Sequence, residues 1–74
     1  MTKFNHKKLA AAMEDHDDMS SYKLADLIGD VIGRDVSRAV TAGWVRGAHV
    51  PSTILLYGAC QVLNLNMEEM FFND

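Results

Sequence analysis

Apolar residues recur along the chain with a period of about 3.6 rather than 2, which predicts helices and no sheet. In the first segment Leu9, Ala12 and Met13 fall at i, i+3 and i+4, with Phe4 or Asn5 opening the helix and the acidic run at residues 14–18 closing it. Carboxylates oppose the dipole at a helix C-terminus, so the chain is expected to fray or turn there. Ser20 suits the N-cap of a second helix, on which Leu24, Leu27, Ile28, Val31 and Ile32 draw an amphipathic stripe. Gly33 suits the left-handed stop position. A third helix is expected from a cap at Asp35 or Ser37 to about Val45, with Val36, Val40 and Trp44 inward, and Arg38, Thr41, Ala42 and Val45 largely off that face. Gly47 ends it, residues 48–50 form a short loop, and Pro51 and Ser52 open a fourth helix carrying Leu55, Leu56, Ala59, Cys60 and Leu63. Asn66 and Glu69, three apart, resemble a capping box for a short fifth helix that turns Met67, Met70 and Phe71 inward. The pattern therefore predicts an all-α fold of five short helices.

The chain has 74 residues, enough for one small domain over 1–74 that buries only about 60% of its unfolded surface. With 49% apolar and 23% charged residues, the composition is that of a globular rather than a disordered chain. No apolar run approaches the roughly 18–20 residues of a membrane span, and the first residues lack the apolar core of a signal peptide. Cys60 is the single cysteine, so an internal disulfide is excluded. These features together lead to the expectation of a reducing cytoplasm.

The formal net charge of −3 taken alone argues mildly against a nucleic-acid partner, but the distribution changes that picture. Lys3, Lys7 and Lys8 make the first segment basic, and Glu14, Asp15, Asp17 and Asp18 make the next acidic. Residues 36–67 contain no acid at all and carry Arg38, Arg46 and His49, before Glu68, Glu69 and Asp74 close the chain. Such a distribution attracts an anion locally while the whole molecule repels it.

Three local patterns carry a resemblance. Ser20 is followed by Leu24 and Ala25 and then by Leu27, Ile28 and Gly29; Val36 and Ser37 are followed by Val40 and Thr41, Trp44, Gly47, and then Pro51 and Ser52; Leu56, Ala59, Cys60, Leu63, Asn64, Leu65, Met70 and Phe71 close the series. In order and spacing this stretch, roughly 50 of the 74 residues, resembles the helix-turn-helix domain of lambda-repressor/Cro-like (XRE) regulators. Residues 30–35 separate Gly29 from Val36, where the family has the glycine directly before the Val-Ser pair. They continue the apolar period, which implies a second helix longer by about a turn and a wider turn at residues 33–35. Val45 also departs from the glutamate common in the family.

The resemblance implies a sequence-specific DNA-binding regulator of the small repressor kind found in phages and mobile elements. A helix-turn-helix over about residues 20–46 would place the third helix in the major groove of an operator, where each base pair shows a distinct set of donors and acceptors. Arg38, Ala39, Ala42 and Gly43 then fall at base-reading positions. Ser21, Arg34, Ser37, Thr41, Arg46, His49, Lys7 and Lys8 are the candidate phosphate contacts. One recognition helix reads too few base pairs to single out a site in a genome, so a homodimer is expected, at least on DNA, with Tyr57, Val62 and Phe72 at its interface.

The remaining chemistry is plainer. Trp44, Met13, Met67 and Met70 read as core, and Cys60 as a small buried hydrophobe. His6 and His16 read as surface residues. The acidic run at residues 14–18 lacks the spacing and glycine of an EF-hand, so no metal site is expected, and no cofactor. No nucleophile, base and orienting group stand at a legible spacing, so no enzyme activity is expected. The alternative to a DNA-binding regulator is a helical protein-interaction module or an antitoxin on the same frame, with weak or no DNA binding. A steep salt dependence of binding to generic duplex DNA separates the two.

Overall fold

The computed structural model describes residues 2–73, with side chains described for residues 3–71. The order along the chain is β1 (Thr2–Phe4), α1 (His6–Asp15), α2 (Ser21–Ile32), α3 (Arg38–Arg46), α4 (Thr53–Leu63), a 3₁₀ turn (Met67–Met70) and β2 (Phe71–Asn73). The fold is predominantly helical, as the period predicts. Two expectations need correction. The fifth helix is a single 3₁₀ turn, and a small sheet is present: β1 and β2 pair antiparallel with Lys3 opposite Phe72 and Phe4 opposite Phe71. Phe71 therefore stands on a strand, partly exposed and edge-on to Phe4 at 6.1 Å between ring centroids, instead of facing inward from a helix.

The helix ends follow local chemistry. The Asn5 side chain accepts from the Lys8 amide and the Ser20 hydroxyl from the Lys23 amide, each 3.1–3.2 Å away, satisfying one of the orphan donors of the first turn. After α1 the acidic run does turn, with Asp17 and Asp18 both in the left-handed region, which aspartate tolerates better than most residues. Gly33 and Gly47 close α2 and α3 at φ +77° and +78°, values that cost an L side chain about 1–2 kcal/mol. α2 thus runs past Gly29 to Ile32 before the wide connection to α3, as the apolar period implies.

The core gathers Leu9 and Met13 from α1, Leu24 and Ile28 from α2, Trp44 from α3, Leu56, Ala59, Cys60 and Leu63 from α4, and Met70 from the 3₁₀ turn. α2 lies at its centre, packed against both α3 and α4, while α1 packs on α3. The inward stripe of α2 is rotated from the one expected: Ala25 is fully buried and Val31 is exposed. α3 shows the same rotation. Val40 is exposed and Val36 half-buried, while Thr41 joins Trp44 in the core.

The two histidines expected at the surface tie α1 to the rest of the fold. His6 Nδ1 donates to the Val45 carbonyl at the end of α3 (3.3 Å), and His16 Nε2 donates to the Leu63 carbonyl at the end of α4 (3.0 Å). Burial raises the Cys60 thiol above the usual cysteine range, with the charge of Glu69 adding to the effect. It is therefore held as a neutral core group.

Candidate nucleic-acid interface

The third helix has one face pinned and one face open. Trp44 anchors the pinned face in the core. Beside it the fully buried Thr41 hydroxyl lies 2.8 Å from the Ser21 carbonyl and 3.0 Å from the Arg38 carbonyl, and donates to this pair. The first contact ties α3 to the start of α2. Thr41→Val keeps the shape and removes the donor, leaving a carbonyl of α2 short of a partner. It is expected to cost about 1–3 kcal/mol in urea unfolding, with Thr41→Ser losing less.

Two expected contacts are corrected by this geometry. Thr41 was expected at a phosphate, but its hydroxyl is buried and engaged within the protein. Gly43 was expected at a base edge, but it is buried, and a Cβ there would collide with the His49 ring. Gly43 serves instead as the surface on which the loop after α3 folds back, its carbonyl accepting from the Ala48 and His49 amides.

The open face carries Arg38, Ala39, Ala42 and Arg46. At 3.6 residues per turn these four span about 100° of the helix surface. Two alanines lie between an arginine at each end, so the middle of the face is low and the ends are cationic. Ser37 occupies the N-cap position with no side-chain cap bond, leaving the N–H groups of the first turn without a side-chain partner. These residues were all legible as candidates, and the fold brings them together.

The remaining candidates are dispersed. Ser21 is half-buried at the start of α2. Arg34 lines a groove of about 600 Å³ between α2 and the α2–α3 connection, together with Asp26, Asp30 and Asp35, a setting that disfavours phosphate. His49 lies beyond the end of α3 and lines a cleft of about 430 Å³ with Lys3, His6 and Phe71. Lys7 is exposed on α1, whereas Lys8 is paired with Glu69 at 3.1 Å and so is drawn toward the 3₁₀ turn. Of the expected dimer contacts, Tyr57 is exposed on α4. Val62 is half-buried and packs against its own core instead of extending that patch. Phe72 lies outside the residues whose side chains are described.

Two residues of the site escape the sequence reading. Arg38 lies across Tyr22 and Asp26 of α2, with its guanidinium carbon 5.5 Å from the Tyr22 ring centre and Nη2 3.7 Å from Asp26 Oδ2. The acid-free stretch is therefore acid-free only along the chain, because in space α2 brings a carboxylate to the first residue of α3. The i, i+4 spacing of Tyr22 and Asp26 places them on one face of α2, but nothing in their own segment indicates what crosses that face.

Among the described residues no group of three histidine, cysteine or acidic side chains could hold a metal ion, and no helix is long and apolar enough to cross a membrane. No protein-family profile, curated protein or solved structure matches the chain.

Proposed function

We propose that the protein is a sequence-specific DNA-binding regulator that uses α2 and α3 as a helix-turn-helix and inserts the open face of α3 in the major groove. The observation that carries this reading is the open face itself: Arg38, Ala39, Ala42 and Arg46 stand together on a helix whose opposite side is fixed by Trp44 and the Thr41 hydroxyl. Arginine offers two parallel N–H groups to guanine O6 and N7, and a small alanine lets the helix axis approach base edges. Arg46, at the far end, suits a phosphate. A symmetric pair of subunits would double the site and make it palindromic, with Tyr57 on the exposed face of the uncharged helix α4 as the surface for pairing.

Selection of binding sites from random duplexes tests the reading, followed by two variants. Arg38→Ala is expected to weaken the selected site by about 1–3 kcal/mol and relax preference at one guanine. Arg46→Ala is expected to weaken all duplexes alike and to flatten the salt dependence by about one phosphate contact. The absence of both a selected site and salt-dependent binding would discard the proposal. The acidic groove of Asp26, Asp30 and Asp35 would then favour the second reading, a module that binds a basic protein segment.

A further inference from the structure

We propose that Asp26 and Tyr22 are positioning residues that hold Arg38 for a base and against the phosphate backbone. This rests on the DNA-binding reading above and adds the residues that set its selectivity. Arg38 is more than half exposed and reaches from the first turn of α3 over two side chains one turn apart on α2. A lone arginine in that position would sample many rotamers and bind any nearby phosphate. Here the Tyr22 ring lies under the guanidinium, within the roughly 6 Å over which a ring attracts a cation, and the Asp26 carboxylate faces one of its ends at ion-pair distance. An exposed pair of this kind adds little to the stability of the fold, but the same small energy is enough to bias which rotamers Arg38 occupies.

The charge argument runs the same way. A phosphate that comes within reach of Arg38 also approaches Asp26, and the repulsion offsets much of the attraction. Guanine O6 and N7 are neutral acceptors and meet no such opposition, and the guanidinium has five N–H donors, of which Asp26 faces only one end. A carboxylate beside the arginine can in addition accept from the cytosine amino group of a G·C pair. Arg38 and Asp26 together thus present donors and an acceptor side by side, the complement of one G·C pair in the major groove.

The test compares a selected duplex with a scrambled one for the wild type, Asp26→Asn, Asp30→Asn and Asp26→Glu, with thermal unfolding confirming that each variant folds. Asp30 lines the same groove but has no ion pair with Arg38, so Asp30→Asn makes the same charge change without touching the positioning. Asp26→Asn is expected to tighten the scrambled duplex and to lower the ratio of selected to scrambled affinity by about fivefold or more, within the range of one bidentate base contact. Asp30→Asn tightens both duplexes and leaves the ratio, Asp26→Glu recovers it, and in an Arg38→Ala background Asp26→Asn no longer moves it. NMR relaxation of the Arg38 Nε–H group in the free protein gives a reading without DNA, with Arg38 becoming more mobile in Asp26→Asn and in Tyr22→Leu. Equal ratios in Asp26→Asn and Asp30→Asn, or equal Arg38 mobility with and without the Asp26 carboxylate, would overturn the positioning role while leaving DNA binding intact. A wild type with no selected site would overturn both.

Discussion

Trp44→Ala is expected to remove about 3–5 kcal/mol of stability, the usual cost of deleting a buried large aromatic side chain. Domains are held by about 0.05–0.15 kcal/mol per residue, so in a chain of 74 residues this loss is a large share of the total. Trp44 is 1% exposed and the largest of the fully buried side chains. It is also the core anchor of α3, a helix of nine residues too short to persist alone. The loss should therefore appear as a fall in overall helical circular dichroism and in the thermal midpoint, and not as local fraying of α3. A midpoint within a few degrees of the wild type would mean that α3 is held mainly by the Thr41 contact and the loop after it.

The second large effect is expected at Gly58, where α4 crosses α2. A Cβ at Gly58 would stand 2.8 Å from Ile28 Cγ2, closer than two carbons can pack, and a tight 3.2 Å from Ile32 Cγ2. Ile28 is fully buried, so relief requires its side chain to shift within the packed core or the two helices to move apart. Gly58→Val is expected to cost about 1–3 kcal/mol in denaturant unfolding from overpacking, against the few tenths that a better helix former returns. Ile28→Ala removes the opposing methyl. The double variant Gly58→Val with Ile28→Ala should therefore lose less than the two single losses added, the mark of residues in contact. Strict additivity would place the strain elsewhere.

The helices were legible because their ends are chemical and their faces periodic. Asn5 and Ser20 cap where their side chains reach the third amide, and Gly33 and Gly47 stop helices by adopting positive φ. The rotation of the inward faces was not legible. Apolar period favours Val40 over Thr41, yet Thr41 is the buried one, its hydroxyl meeting the Ser21 carbonyl of α2, while Val40 is exposed. Ala25 and Gly58 were missed for a related reason: small residues mark close approach between helices, which only the packed pair reveals. The sheet was missed because three residues per strand give no alternation to read. In the site, Arg38, Ala39, Ala42 and Arg46 follow from the resemblance to helix-turn-helix regulators, which assigns their places on the third helix and beside it. Tyr22 and Asp26 are brought to Arg38 by tertiary contact, which no pattern within α3 contains.

The ribbon of β1 and β2 joins residues from nearly opposite ends of the chain. Closing so long a loop carries an entropic cost that grows with the logarithm of its length, and an isolated two-stranded ribbon of this size cannot supply it. The packed helices meet that cost by holding the ends within reach, so the ribbon is expected to be the first part of the fold to open, which amide hydrogen exchange at residues 3–4 and 71–73 checks. Its contacts also make the two ends interdependent: the Asn5 amide is held by the Met70 carbonyl at 2.7 Å and the Phe4 ring rests on Phe71. Fraying at one terminus is thus expected to release the other, so that the amides of both ends exchange together.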